Sequence, residues 1–373
     1  MKILNVNYVL DPVSGGGTAQ RTIQMSQFLI KAGLQCTILT TDVGYGNFPD
    51  LISGEIIALP TLWKRFYFPQ VSYKKIVKIV KNHDVIHLMG HWNVINVLVY
   101  FAAKKLNKPY IVCPAGALPI YGRSKIIKKI YNWIIGKRII QEANGHVAIT
   151  MDEVNQFEVY GVSPDKTTVI PNGINPQNFL VKEDKEFRSK YHLGMNPYIL
   201  FIGRLNIIKG PDLLLRAFGN LKDKIPGIDL VFVGPEEGML PVLKEIVMEY
   251  DIKDRVHFLG FLGGTDKSMA YHASELLVIP SRQEAMSMVV LEAGVTGTPV
   301  LLTDQCGFDE VASIDGGKVV SASVEGLEKG ILELLHDTKR LKEMGLNLGK
   351  YILNKYTWDS IVQKYIFLFN KVY

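Results

Sequence analysis

Short apolar runs alternate with longer amphipathic stretches along nearly the whole chain. In the first half the runs are Ile3–Asn7, Cys36–Thr40, Val85–Leu88, Tyr110–Cys113 and Val147–Thr150. Each is too short for a helix and carries no charge, which predicts a strand buried on both faces. A Gly-rich loop follows the first run, and a helix is expected from about Thr18 to Lys31. A second series follows the turn signal Pro171-Asn172-Gly173: Tyr198–Ile202, Leu230–Val233, Val256–Leu259, Leu276–Ile279 and Val300–Leu302. Strands separated by helical patterns predict parallel sheets with crossover helices. The expected fold class is therefore α/β, with two doubly wound domains at 1–173 and 174–357 and ligands in a cleft between the carboxyl ends of their sheets. The polar stretch Asn175–Asn196 reads as a linker. Residues 358–373 are amphipathic and aromatic, and read as a C-terminal helix needing an apolar groove on either domain, with a crossing back to the first as one option.

The chain has 373 residues, enough for two full cores, and 47% apolar with 21% charged residues fits a globular protein. No apolar run approaches the roughly 18 residues of a membrane span. Met1 leads straight into a strand-like run, so no signal peptide is expected. Cys36, Cys113 and Cys306 are few, odd in number and far apart, which suits a reducing, cytoplasmic setting. No C-x-x-C pair suggests a structural zinc. The net charge of +6 conceals an asymmetry: residues 1–173 hold 19 Lys and Arg against 10 Asp and Glu, the remainder 23 against 26. Ile56–His83 carries Lys64, Arg65, Lys74, Lys75, Lys78 and Lys81 without an acid, and Arg123–Arg138 carries six bases among isoleucines and Trp133. Such blocks fit contact with an anionic membrane, or an ordinary solvated face. No nucleic-acid motif accompanies them, so nucleic acid is not an expected partner.

Chemistry concentrates in Ser281–Glu292, S-R-Q-E-A-M-S-M-V-V-L-E, where Glu284 and Glu292 stand eight positions apart. Read as one helix, the spacing is a little over two turns at about 100° per residue, with both carboxylates near one line. Glu284 is then expected at the helix mouth and Glu292 two turns down. Carboxylates so placed suit a ligand rich in hydroxyls; a helix cap for Glu284 and an ion pair for Glu292 fit the same spacing. Gly15-Gly16-Gly17-Thr18 is a turn, or a loop whose N–H groups approach phosphate at a helix N-terminus. Gln20 stands where a dinucleotide fingerprint needs glycine, and no Gly-Lys pair precedes Ser or Thr as a Walker loop requires. Arg204 and Lys209 lie five residues apart after a strand, suited to holding a diphosphate and stabilising a leaving group without a metal. Pro211 and Asp212 suit the start of the next helix. No D-x-D pair is present. His87 and His91 end a first-half strand; no Glu or Cys completes a metal set with them. His91 fits a sugar hydroxyl, a developing charge or a structural role, and His87 a structural one.

Taken in order, these pieces resemble the retaining, metal-independent glycosyltransferases of the GT-B fold, in the group with an E-x7-E motif. The matching segments are Gly15–Thr18, Pro171–Ile174, F-I-G-R-L-N-I-I-K-G at Phe201–Gly210, V-F-V-G-P at Val231–Pro235, F-L-G-F at Phe258–Phe261, and Ser281–Ala293. A-G-A-L at Ala115–Leu118 and the basic stretch after it resemble members that extend bacterial surface polysaccharides. The resemblance implies two Rossmann-like domains, an acceptor-binding N-terminal one and a nucleotide-sugar-binding C-terminal one. It implies Arg204 and Lys209 on the donor diphosphate, Glu284 on the donor sugar and Glu292 on the ribose. Backbone at Ala285, Met286, Ser287 and Met288 would cover sugar and phosphate, Phe261 and Leu262 would lie near the base, and Gly203 and Gly234 would line the pocket. Gly16 and Gly17 would close on the phosphates. The implied catalytic set is Glu284, Arg204, Lys209 and His91, with no cofactor and no metal, only a UDP- or GDP-sugar donor.

Three departures stand out. Met89 takes the place of the second histidine of the family's H-x-H-G, Ala285-Met286 replaces the usual Gly-Phe or Gly-Leu, and C-G-F-D-E at Cys306–Glu310 replaces G-G-x-x-E. The expected activity is transfer of a hexose to a glycan, polyprenyl-diphosphate-linked, at the inner face of the plasma membrane. A nucleotide-sugar epimerase and a silent nucleotide-sugar-binding protein share the architecture and are the rival expectations.

Overall fold

Both series of apolar runs pair as parallel strands. The structure, a computed structural model, describes residues 1–44, 54–64, 67–120 and 124–373; Arg65 and Arg123 of the basic blocks lie outside these. The chain forms two compact units, Met1–Gly173 with Trp358–Tyr373, and Ile174–Thr357.

The first unit contains β1 (Lys2–Val6), α1 (Pro12–Lys31), β2 (Gln35–Thr41), β3 (Glu55–Leu59), β4 (Thr61–Trp63), β5 (Phe68–Pro69), α2 (Tyr73–Lys81), β6 (Val85–Met89), α3 (Val94–Lys105), β7 (Tyr110–Cys113), α4 (Lys125–Tyr131), a π-helical turn Asn132–Gly136, α5 (Lys137–Gln141), β8 (Gly145–Ala148), α6 (Met151–Val159) and β9 (Thr167–Val169). Its sheet order is β3-β2-β1-β6-β7-β8-β9, and β4-β5 form a separate hairpin. Leu4, Val6, Ile86, Leu88, Val112 and Ala148 build the core from the inner strands. Burial on both faces explains why those strands are uninterrupted apolar runs.

The second unit contains α7 (Asp184–Lys190), β10 (Tyr198–Ile202), α8 (Pro211–Asn220), β11 (Asp229–Val233), α9 (Leu240–Tyr250), β12 (Val256–Phe258), α10 (Gly264–His272), β13 (Leu276–Ile279), α11 (Met288–Thr296), β14 (Val300–Thr303), α12 (Glu310–Ser313), β15 (Gly317–Val320), α13 (Val324–His336) and α14 (Thr338–Lys355). The order β12-β11-β10-β13-β14-β15 reverses direction between β10 and β13. Loops at the carboxyl ends of two such strands diverge and leave a crevice, the usual ligand position in open α/β sheets.

The last helix, α15 (Trp358–Val372), belongs to the first unit. Trp358 Nε1 donates to Gln24 Oε1 of α1 at 2.5 Å, and its ring stacks near Phe28. Arg21, fully buried, donates to Asn172, to the Ile170 carbonyl at 2.9 Å and to the Tyr365 hydroxyl at 2.5 Å. A buried guanidinium needs such partners, since an unpaired one carries the full desolvation penalty.

Several expectations shift. Asn175–Asn196 is no linker: it forms a 3-10 turn, Pro176–Phe179, and α7, with Phe179 and Phe187 buried. Arg188 fastens it through the carbonyls of Gly194 (2.8 Å), Asn196 (2.9 Å) and Ala273 (3.2 Å). α1 spans Pro12–Lys31 but is broken at Gly16 (φ 55°, ψ −142°), so its continuous part begins just after Gly16, close to the expected Thr18, and a short helical turn precedes it. The expected strand at Val147–Thr150 sits two residues earlier, because Thr150 caps α6 by accepting from the Glu153 N–H at 3.4 Å. The strands β3, β9 and β15 escaped the sequence reading; they are sheet edges and only partly buried, and β9 and β15 lack a continuous apolar run.

Candidate active site

The crevice between β10 and β13 collects most of the residues singled out from the sequence. β10 delivers Gly203 and Arg204 at its carboxyl end, and β13 delivers Ser281 to Glu284 at its own. Gly234 follows β11 at φ 145°, where a Cβ would overlap the Gly203 carbonyl, so the two loops touch backbone to backbone. Arg282 ties the loops together. Its N–H donates to the Ile208 carbonyl at 2.7 Å, and its guanidinium forks onto Asp212 at 2.8 and 2.7 Å. Bidentate Arg-carboxylate pairing is rigid, so the start of α8 is fixed against the β13 loop.

That stitching brings Lys209 to Glu284. Lys209 Nζ lies 2.8 Å from Glu284 Oε1, with the carboxylate side chain 8% exposed. The Ser281 hydroxyl donates to the same oxygen at 2.5 Å. Glu284 is not in a helix: α11 starts at Met288, four residues later, and Ser287 is its N-cap. The one-helix alignment of the two glutamates therefore does not hold. The reason is local. The Glu284 N–H donates to the Gln305 carbonyl at 2.8 Å and the Ser287 N–H to the Cys306 carbonyl at 3.2 Å, so the segment pairs with the loop after β14 before it coils. Gly307, at φ 61°, permits this, because a Cβ there would overlap the Ala285 carbonyl. Ser287 is fully buried and its hydroxyl has no partner, at the N-terminus of a nine-residue helix with no acid in its first turn. Ala285 and Met288 flank it half-buried, and Met286 is buried.

Glu292 lies one turn inside α11, 1% exposed. Lys267 Nζ approaches its carboxylate at 2.6 Å, and the Tyr271 hydroxyl donates to Oε2 at 2.6 Å. Burial, then the Glu292 charge, pushes the Tyr271 phenol well above its ordinary range, so it remains a donor. The ion-pair alternative for Glu292 is thus present in the fold, and the cap alternative for Glu284 is not. Arg204 faces Glu237, with Nη1 at 3.3 Å from the carboxylate, which also accepts from Asn206 Nδ2 at 2.8 Å. Of the four charged residues expected to converge, Lys209 and Glu284 touch; Arg204 and Glu292 each hold another partner. Phe261, before α10, is half exposed, and Leu262 is buried beside it. Among the described residues no group of three or more His, Cys, Asp or Glu side chains could hold a metal ion.

Comparison with known proteins decides the family. A family model described as Glycosyl transferases group 1 matches residues 182–350, and one described as Glycosyltransferase Family 4 matches residues 15–178. The chain belongs to the GT-B glycosyltransferases. An uncharacterized glycosyltransferase of Methanocaldococcus jannaschii is 23% identical over 396 residues, 98% of this chain and 96% of its own. A D-inositol 3-phosphate glycosyltransferase of Nocardia farcinica is 33% identical over 223 residues; the match covers 56% of this chain and 49%, about half, of that enzyme. The solved structure of Anabaena HepE in complex with UDP-glucose superposes with a TM-score of 0.81 at 18% identity, covering 99% of both chains. That likeness concerns the fold.

The remaining expected site residues of this glycosyltransferase lie in its first unit. Gly16 forms the α1 kink and Gly17 is exposed beside it. His91 is 2% exposed, and its ring lies 4.4 Å from that of Trp92 and 5.4 Å from those of Tyr131 and Tyr160. Its Nε2 pairs with Asn132 Oδ1 at 2.8 Å, and burial pulls its pKa down to about 4. The structural reading of His91 fits this setting. His87 is buried and drawn down to about 3 by burial and by Arg21. Cys36, Cys113 and Cys306 are free and buried.

Sequence reasoning missed Ser281, Tyr271, Lys267, Glu237 and the Gln305–Gly307 backbone. One signal was available: Lys267 and Tyr271 are four apart on one helix, hence on one face.

Proposed function

We propose that the second unit binds a nucleotide-diphosphate sugar and that the enzyme transfers its hexose, with retained configuration and without a metal, to a glycan hydroxyl. The observation that carries this reading is the Lys209–Glu284 pair beside the α11 N-terminus, where the buried Ser287 hydroxyl lacks a partner. A helix N-terminus with orphan N–H groups and a nearby lysine suits a diphosphate. Lys209 and Arg204 would stabilise charge on the leaving diphosphate, with Arg204 exchanging Glu237 for phosphate. Ser281 and Lys209 both engage Oε1 of Glu284, and Oε2 is the oxygen assigned to donor-sugar hydroxyls. Glu292, held by Lys267 and Tyr271, would accept from the ribose. Gly203 and Gly234 would line the pocket, and Phe261 and Leu262 would flank the base. The leaving phosphate would take the acceptor proton on the same face, so the step depends on positioning.

We take the acceptor to be a lipid-linked glycan of surface polysaccharide synthesis, met at the cytoplasmic face of an anionic membrane; the acid-free basic blocks of the first unit motivate this. Among the described residues no helix is long and apolar enough to cross a membrane. UDP-glucose is the first donor to try, because HepE was solved with it. The test is nucleotide-diphosphate release by wild type and by Glu284→Ala, with thermal melting as the fold control. Loss of release with unchanged melting is expected; full activity of Glu284→Ala overturns the assignment.

A further inference from the structure

Residues 124–141 contain no acid, and they carry two apolar faces where a globular domain uses one. The inner face is accounted for. Ile135, Ile139 and Ile140 are buried in the core of the first unit. Asn132, also buried, joins Oδ1 to His91 Nε2 at 2.8 Å and donates from Nδ2 to the Tyr160 hydroxyl at 2.7 Å. The Tyr131 hydroxyl donates to the His91 carbonyl at 2.8 Å. These bonds fix the rotation of α4 and the π-helical turn, so the opposite side is held outward.

That opposite side is apolar. Ile126, Ile127, Ile130, Trp133 and Ile134 are all at least half exposed, Ile126 at 74% and Trp133 at 85%. At about 100° per residue Ile126, Ile127 and Ile130 of α4 fall within an arc of about 100°, and Trp133 and Ile134 of the π-helical turn follow Ile130 three and four residues on. Isolated exposed apolar residues are ordinary, but a contiguous aliphatic stripe with a tryptophan marks a contact surface. Lys125, Lys129 and Lys137 are exposed around it. A protein partner of ordinary composition would not require an acid-free rim. An anionic leaflet does: it attracts the lysines, takes up the isoleucines and seats a tryptophan at the headgroup level.

We infer that α4 and the following π-helical turn form the membrane-docking element of this enzyme, with Trp133 and the isoleucines entering an anionic phospholipid leaflet and the lysines at its headgroups. The inference rests on the membrane contact proposed above and names the element that makes it. α4 has seven residues, too few to span a bilayer, so its docking is reversible and weakened by salt.

Co-sedimentation with vesicles of phosphatidylglycerol and of phosphatidylcholine tests it, using the full chain, the pair Ile130→Glu and Trp133→Glu, and the pair Lys125→Glu and Lys129→Glu. The exposed positions spare the fold, checked by melting temperature. Wild type is expected on phosphatidylglycerol vesicles and not on phosphatidylcholine, with each double variant partitioning at least about tenfold less. Wild type absent from phosphatidylglycerol pellets overturns the inference, and so does unchanged partitioning of the Ile130/Trp133 variant. Light scattering that shows a dimer split by Trp133→Glu would assign the face to a second copy and also overturn it. Nucleotide release with soluble acceptor sugars, measured without vesicles, should be equal in wild type and both variants; its failure in all three would strike the catalytic reading and leave the docking result standing.

Discussion

Replacing Tyr271 by Phe and Lys267 by Met, singly and together, tests how Glu292 is held. Glu292 is 1% exposed, and the ring of Tyr271 is fully buried, so Phe fills the same space and deletes only the hydroxyl. That hydroxyl donates to the carboxylate at 2.6 Å. A hydrogen bond to a charged group contributes about 1.5–3 kcal/mol, which is the loss expected for Tyr271→Phe. Lys267→Met leaves a buried carboxylate with no cation. Removing one partner of a buried pair costs about 3–5 kcal/mol. Lys267 keeps 21% of its side chain in solvent, which places the expectation at the lower end, about 3 kcal/mol. Because both act through one carboxylate, the double variant should depart from the sum of the singles by at least about 0.5 kcal/mol. In a Glu292→Gln background, Tyr271→Phe should lose much of its cost, since the charge is gone.

Urea unfolding reads these changes as shifts in midpoint at constant slope. All four tryptophans, Trp63, Trp92, Trp133 and Trp358, belong to the first unit. A transition seen by far-ultraviolet circular dichroism and silent in tryptophan fluorescence therefore reports the second unit. The pH dependence has a definite sign. The folded-state pKa of Tyr271 is raised, so its contribution is complete below the unfolded value of about 10 and declines as pH rises beyond it. A Tyr271→Phe loss under about 0.5 kcal/mol, or singles that simply add, would refute the clamp.

Acidification should destabilise the first unit early. His91 and His87 are held down to about 4 and about 3 by burial, below an unfolded value of about 6.5, so their contribution is present above that value and lost as pH falls through it. The His91 share approaches about 3 kcal/mol at pH 4, and tryptophan-monitored urea midpoints should begin to drop below pH 6.5, before most carboxylates titrate; flat midpoints from pH 7 to 5 would contradict it. Trp358→Ala should cost about 3–5 kcal/mol by opening a cavity against Phe28 and Gly173, read from the same fluorescence transition. Gly307→Ala should cost at least about 1 kcal/mol, because residue 307 has positive φ and a Cβ meets the Ala285 carbonyl; donor affinity by calorimetry should fall more than melting temperature.

The strands at the centre of each sheet were legible because burial on both faces leaves only apolar residues there. Tyr110–Cys113, Tyr198–Ile202 and Leu276–Ile279 match to the residue. The edges were not: Glu55–Leu59 and Gly317–Val320 are only partly covered, Gly317–Val320 mixes polar with apolar positions, and the apolar run Ile56–Leu59 was passed over. Asn175–Asn196 misled for a related reason. Most of its charged residues sit on the surface while Phe179, Phe187, Leu193 and the buried Arg188 anchor it, and anchors so widely spaced in 22 residues do not make a pattern. In the site, types and places were legible and partners were not. Lys209 and Glu284 lie 75 positions apart, and only the approach of the β10 and β13 loops makes them a pair. Tyr271, Glu237 and Gln305 reach the site by tertiary contact alone.

The interval between the two glutamates shows where sequence periodicity stops being the physical constraint. Eight positions would align two side chains on one continuous helix, but the helix covers only Met288 onward. From Glu284 to Ser287 the chain is set by hydrogen bonds to Gln305 and Cys306, and by the absence of a side chain at Gly307. The spacing is thus a sum of two parts, a short loop clipped to its neighbour and one turn of helix. The two carboxylates consequently face different elements: Glu284 meets Lys209 from the β10 loop, Glu292 meets Lys267 and Tyr271 from α10. One acid is placed for a group at the helix mouth and the other for a group beside the helix, a division that a single helical face would not produce. A residue inserted between Ser287 and Glu292 would rotate Glu292 away from α10 by about 100° and leave Glu284 in place. Such an insertion separates the two roles: nucleotide affinity falls, while the Lys209–Glu284 pair stays formed.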